Sequence, residues 1–235
     1  MPLIDVAQQS DEWLKMRIGM CTASRMSDVV KRLKRKTKDA DKGEYSKAHY
    51  DYMMELVAER FTGRSADHYV TQYMEEGIEN EPFARAAYEL QCDDEVLPGG
   101  YAMHPTINWF GASPDSLIGQ HGLLEIKCLK TINHLEILKS QTIPEEFLPQ
   151  MLAEMSCAER QWCDFVSFDP RMPAGLKVFI QRLERDEKLI SALEDEVRAF
   201  LAEVEEMVTR LKKSAHIASG AQDEGIVATY EGIVP

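Results

Sequence analysis

The sequence predicts an α/β fold: a central mixed β-sheet flanked by helices. Short apolar and aromatic runs of strand length are interleaved with longer segments that carry apolar residues at helical spacing. Their order is four helices, two strands, a helix, two strands and a long closing helix. At 235 residues, 44% hydrophobic and 29% charged, the chain suits one globular domain spanning residues 1–235, with no repeat and no second domain.

Trp13 to Arg17 and Ser24 to Leu33 read as short helices on either side of a turn at Gly19. Residues 31–44 read as a basic, mobile loop. Tyr45 to Thr62 reads as a helix, with Tyr52, Leu56, Glu59 and Phe61 at helical spacing and Met53, Val57 and Arg60 beside them. Thr71 to Leu90 reads as a second long helix, acid-rich on one side and interrupted near Pro82, which has no N–H to give to the helix. Ile107 to Ala112 and Leu123 to Cys128 read as strands. Between them Ser113 to Gly122 has turn composition, so the two strands are expected to form a hairpin. Leu148 to Ala158 reads as a helix, and Cys163 to Phe168 and Lys177 to Arg182 as strands. From Asp186 to Leu211, Leu189, Leu193, Val197, Phe200, Val204, Val208 and Leu211 repeat at spacings of three and four, a long amphipathic helix. Residues 214–235 read as a loosely ordered tail with a short strand at Gly225 to Tyr230.

The chemistry concentrates in Asn108 to Cys128, NWFGASPDSLIGQHGLLEIKC. Side chains alternate across a strand, so Glu125 and Lys127 share one face, and Leu124, Ile126 and Cys128 point to the other, toward the core. The turn can bring Asp115 to the same point. Two carboxylates are hard oxygen ligands suited to magnesium, and the Ile126 carbonyl could add a third oxygen. A metal so held would activate a water and stabilise charge on a phosphate. Lys127 could orient that water, help to deprotonate it, or stabilise the transition state. A surface hairpin with a Glu–Lys pair and a turn aspartate fits the same residues.

This region resembles the lambda-exonuclease family of phage recombination nucleases, within the PD-(D/E)xK superfamily. The resemblance is carried by ordered blocks from about Asp11 to Asp186: DEWLKMRIGMCTASRMSDVV, GIENEPFAR, SPDSL with LLEIKC, PQMLAEM and SFDPRMP. It implies a restriction-endonuclease-like core. It implies that Asp115 and Glu125 bind metal, that Lys127 is the catalytic lysine, that Glu81 lies near the metal, and that Gln150 positions water or the scissile phosphate. Arg17 and Ser24 match positions that hold a terminal 5′-phosphate, and a further family arginine falls at Lys34 or Arg35. Local alternatives exist for each. Glu81 can pair with Arg85 one turn away, Ser24 can cap a helix, Gln150 can be an ordinary first-turn residue, and Arg17 can be a surface arginine.

The resemblance also implies a Mg2+-dependent enzyme, with Mn2+ able to substitute. It would digest one strand of double-stranded DNA from its 5′ end, leaving a 3′ overhang. A homotrimeric ring around DNA and a single-strand annealing protein as partner are implied as well. A structure-selective or restriction-type endonuclease on the same metal site is the alternative. A DNA-end-binding protein that has lost its chemistry is a third reading, against which the complete Asp115, Glu125 and Lys127 set argues.

Composition agrees with a nucleic-acid enzyme once charge is mapped. The net charge is −13, but KRLKRKTK, residues 31–38, has six basic residues in eight. Acid gathers in Gln72 to Glu95 and Glu184 to Glu206. Contacts from the basic stretch to phosphate should weaken with salt. The five cysteines are odd in number and form no Cys-x-x-Cys, and the six histidines lack a zinc-binding spacing. No run is long and apolar enough to cross a membrane. The first residues lack the basic start and apolar core of a signal peptide, so a cytoplasmic location is expected.

Overall fold

The computed structural model describes residues 3–32, 44–66, 72–92 and 94–219. A mixed five-stranded sheet forms its centre, as expected. In chain order its strands are β2 (Val96–Pro98), β5 (Ser116–Ile118), β6 (Gly122–Cys128), β7 (Trp162–Phe168) and β8 (Val178–Glu184). They lie side by side in that order, with β6 and β7 parallel and the other neighbours antiparallel. A second, three-stranded sheet has the order β1 (Cys21–Thr22), β4 (Phe110–Ala112), β3 (Ala102–Met103).

Helix α4 (Gln72–Glu89) covers one face of the large sheet, where Ala84 and Tyr88 pack with Leu124, Ile126, Val166 and Phe168. Helix α6 (Leu148–Ala158) covers the other face, with Met151 and Met155 in one cluster with Leu123 and Phe165. Helices α1 (Asp11–Arg17), α2 (Met26–Val30), α3 (Lys47–Thr62), α5 (Thr131–Ser140) and α7 (Glu187–Ser219) complete the layers. Because helices cover both faces, β6 is buried on both sides, and the face carrying Glu125 is core as well.

Several expectations are corrected. Ile107 to Ala112 and Leu123 to Cys128 do not pair: β4 belongs to the small sheet and β6 to the large one. The antiparallel partner of β6 is β5, inside the stretch read as a turn, with Ser116 opposite Leu124. Its three residues are too few to show a period between polar neighbours. The chain passes between the sheets at Ser113–Pro114–Asp115. Gly99 is required at this passage, because a Cβ there would collide with the Pro114 carbonyl.

Helix α4 runs through Pro82 without interruption. One missing N–H is outweighed by the burial of Ala84 and Tyr88 and by Arg85, which is hydrogen-bonded to Ser116 and Asp115. Helix α5 lies where the sequence pattern assigned no element, and α7 continues past Leu211 to Ser219. The buried stripe of α7 includes Ile190, whereas Leu189 and Leu211 are exposed. Most of the 31–44 loop, including Lys34 and Arg35, and the tail from residue 220 with its expected strand lie outside the described residues.

Candidate active site

Asp115 enters the large sheet just ahead of β5 and is fixed by two backbone bonds. Its N–H donates to the Leu124 carbonyl at 3.1 Å, and its Oδ2 accepts the Ile126 N–H at 2.6 Å. Glu125 is 1% exposed. Its Oε1 lies 2.5 Å from Lys127 Nζ and 2.6 Å from Gln150 Nε2, while its Oε2 is buried without a hydrogen-bond partner. Lys127 Nζ also donates to Gln150 Oε1 at 3.1 Å. The sequence-predicted set Asp115, Glu125, Lys127 and Gln150 is therefore brought together at one end of β6. Gln150 is no ordinary first-turn residue.

Glu81 accepts from Arg85 Nη2 at 2.8 Å, so its pairing with Arg85 is present. It also belongs electrically to the cluster. Burial raises its pKa, Glu125 adds to the rise, and Arg85 and Lys127 offset part of it. Burial, then the charges of Glu125 and Glu81, hold the Asp115 carboxyl well above the usual carboxylate range. Lys127 is shifted upward as well, which for a lysine favours the charged form. Burial works against its charge, but Glu125 and Asp115 outweigh burial and raise its pKa.

Among the described residues no three His, Cys, Asp or Glu side chains converge on one point at ligating distance. The Lys127 ammonium occupies Glu125 Oε1 instead. The donor set nevertheless fits a hard divalent cation. It consists of carboxylate oxygens, one of them buried and unpartnered, and their mutual repulsion is what a bound cation would relieve.

A second group of polar side chains adjoins the first through Ser113, two residues before Asp115. Arg17 Nη1 lies 3.4 Å from Ser113 Oγ, and Arg17 Nη2 lies 3.4 Å from Ser24 Oγ. Ser24 Oγ is 3.4 Å from Thr22 Oγ1, and Trp13 Nε1 donates to Ser113 Oγ at 2.9 Å. The Arg17 guanidinium lies 4.2 Å from the centroid of the Trp13 ring. Arg17 and Ser24 are thus neighbours in space. Ser24 sits inside the 3-10 turn Ala23–Arg25 rather than capping a helix, since Arg25 holds the cap position of α2. Burial lowers the Arg17 pKa, the mark of a cation short of solvent. Arg32, at the start of the basic stretch, is held by Glu196 at 2.6 Å over the Tyr45 ring.

Sequence reasoning missed Ser113, which directly precedes the Pro–Asp pair, and Arg85, which fixes Ser116 and the Asp115 carbonyl. It also missed Glu154, fully buried and bonded to Gln150 Nε2 at 2.9 Å. The signal for Glu154 was its place four residues after Gln150 on a helix.

Comparison with known proteins bears on the fold and the family. Two crystal structures of LHK-Exo, an alkaline exonuclease from Laribacter hongkongensis, are each 42% identical to this chain. Each match covers 90% of this chain and 100% of that one, with a TM-score of 0.79, and one of the two structures is a complex with dAMP. A phage-related exonuclease from Haemophilus somnus 129PT shares the fold at 15% identity and a TM-score of 0.61, covering 82% of this chain and 96% of that one. The mixed sheet between helices is thus the restriction-endonuclease-like core that the sequence led us to expect. No curated protein sequence matches. The YqaJ-like viral recombinase domain matches residues 12–161, and the chain belongs to that family.

Proposed function

We propose that this protein is a divalent-metal-dependent DNA exonuclease that digests one strand of duplex DNA from its 5′ end and leaves 3′ overhangs for recombination by single-strand annealing. One observation carries the proposal. The Asp115–Glu125–Lys127–Gln150 cluster is joined through Ser113 to the Arg17–Ser24 group. The first group suits phosphodiester hydrolysis and the second suits a terminal phosphate. The presence of dAMP in LHK-Exo supports the reading, because a deoxynucleoside monophosphate is what stepwise digestion of DNA releases.

Asp115, Glu125, Glu81 and the Ile126 carbonyl are the groups that would hold Mg2+, with Mn2+ able to replace it. The ion would supply an activated water and charge neutralisation at the phosphate. The Ile126 N–H holds the Asp115 carboxylate in place. Gln150 accepts from Lys127 and donates to Glu125, so it aligns the ammonium with the carboxylate. Lys127, kept charged by Glu125 and Asp115, is placed to orient the attacking water and to stabilise the negative charge that grows on the phosphate. Arg17, Ser24 and Ser113 would bind the 5′-terminal phosphate and set the register of cleavage. Lys34 or Arg35 would add a backbone contact. A homotrimeric ring and a single-strand annealing partner complete the proposal.

The test uses linear duplexes with a 5′-phosphate or a 5′-hydroxyl, each strand separately labelled, with Mg2+. Loss of only the 5′-phosphorylated strand, absent in Asp115→Ala, is the expected result. Arg17→Ala should reduce the preference for the 5′-phosphate by about 10–100-fold, the loss of about 1.5–3 kcal/mol of charge-assisted bonding. Equal cutting of closed circles would instead establish the endonuclease. DNA binding without cutting by the wild type would establish a non-catalytic end-binding protein.

A further inference from the structure

Gln150 and Glu154 are one helical turn apart on α6, so their side chains meet. The Gln150 amide touches three ionisable side chains. Its oxygen accepts from Lys127 Nζ at 3.1 Å, and its nitrogen donates to Glu125 Oε1 at 2.6 Å and to Glu154 Oε1 at 2.9 Å. An ammonium can only donate and the Glu125 carboxylate only accepts, so one orientation of the amide satisfies both, and in that orientation its second N–H meets Glu154 Oε1. Glu154 supplies the acceptor for the second N–H.

Packing alone does not call for a glutamate here. Glu154 is completely buried, and its Oε2 has no hydrogen-bond partner. Burying a carboxylate is costly. A leucine between the buried Met151, Leu152 and Met155 would fill the same space without that cost.

We propose that Glu154 is a positioning residue. It holds the Gln150 amide in the orientation that keeps Lys127 and Glu125 aligned at the reacting centre. Glu154 acts through Gln150 and touches neither DNA nor the reacting atoms. This inference rests on the nuclease reading above.

The experiment compares wild type, Glu154→Leu and Glu154→Gln on a 5′-phosphorylated duplex, with kcat and KM measured separately. Glu154→Leu fills the site without an acceptor and avoids the cavity an alanine would leave. It should lower kcat by about 10–100-fold, the usual scale for a partner that orients a site residue. KM for DNA should stay within about twofold, because Glu154 does not face the substrate. Glu154→Gln still offers a carbonyl oxygen to Gln150, and should return kcat to within about threefold of wild type. Independently, the side-chain amide signals of Gln150, assigned by their loss in Gln150→Ala, should move in Glu154→Leu and return in Glu154→Gln.

Wild-type kcat in Glu154→Leu would overturn the proposal, and so would equal impairment of the leucine and glutamine variants. Should the wild type release no nucleotide, the nuclease reading fails on its own. The amide signals then decide whether Glu154 orients Gln150, and unchanged signals in Glu154→Leu overturn it.

Discussion

Asp164 on β7 and Glu125 on β6 sit on neighbouring parallel strands, and both carboxylates are buried. They face opposite layers of the molecule. Asp164 is matched on every side: Arg182 donates to its two oxygens at 2.8 and 2.9 Å, and the Tyr88 hydroxyl donates at 2.7 Å. Glu125 shares its pocket with the carboxylates of Asp115, Glu81 and Glu154. Among the described residues it has one unpartnered oxygen, and its only cation in contact is Lys127. The first site is the kind that holds a fold together. The second stores electrostatic repulsion, which folding tolerates and a bound cation would relieve. The comparison separates an acid matched by its neighbours from one that is not, without reference to position in the sequence.

The largest expected effect falls on the crowded side. Asp115→Asn should lower nuclease activity by about 10^3-fold, the scale of losing a preorganised charge at the reacting centre. It should also raise the melting temperature of the metal-free protein, because asparagine neither takes up a proton on folding nor bears the repulsion of Glu125 and Glu81. Loss of activity together with loss of stability would break the comparison. On the matched side the signs reverse. Asp164→Ala leaves Tyr88 and Arg182 without their acceptor and should cost about 2 kcal/mol of stability by urea unfolding. It should leave kcat per folded molecule unchanged, because the side chain lies on the face away from Glu125 and Lys127.

The smallest effect is one of pH. The Asp115 and Glu154 carboxyls are held well above the usual range, by burial first and then by Glu125. The folded protein therefore keeps protons that the unfolded chain releases above about pH 4. Their contribution to stability is complete below that pH and is lost as pH rises through the raised folded values. In chelator, the stability of wild type relative to Asp115→Asn should fall as pH rises from 4 to 8, and saturating Mg2+ should flatten the difference. Asp169 provides the opposite case. Arg171 and Thr131 outweigh its burial and bring it down to about 2. Its contribution is present above about pH 4 and is lost as pH falls through about 2. An Asp115 difference that runs in the same direction as that of Asp169 would remove the distinction drawn above.

Much of the fold was legible because long periodic segments leave a strong pattern. The helix Leu148–Ala158 and the strand ending at Phe168 matched their expected bounds closely. Short elements were not legible. The strands β1, β3 and β5 have two or three residues and owe their existence to partners distant in sequence. Pro82 misled because the rule for proline in a helix is local, whereas α4 is held by Ala84, Tyr88 and Arg85 against the sheet. At the site, the residue types of Asp115, Glu125 and Lys127 suggested hydrolysis. Gln150, Glu81, Arg17 and Ser24 came from the family likeness alone.

The sequence by itself determined the central strands, the flanking amphipathic helices and the identities of the acids and the lysine, because these depend on local period and side-chain chemistry. Only the tertiary structure decided that Asp115 meets the Ile126 N–H, that Gln150 bridges Lys127 to Glu125 and Glu154, and that Ser113 joins the acidic cluster to Arg17. The physical reason is burial. The pKa shifts and the single orientation of the Gln150 amide arise because α4 and α6 close over both faces of β6. No local stretch of sequence contains that enclosure.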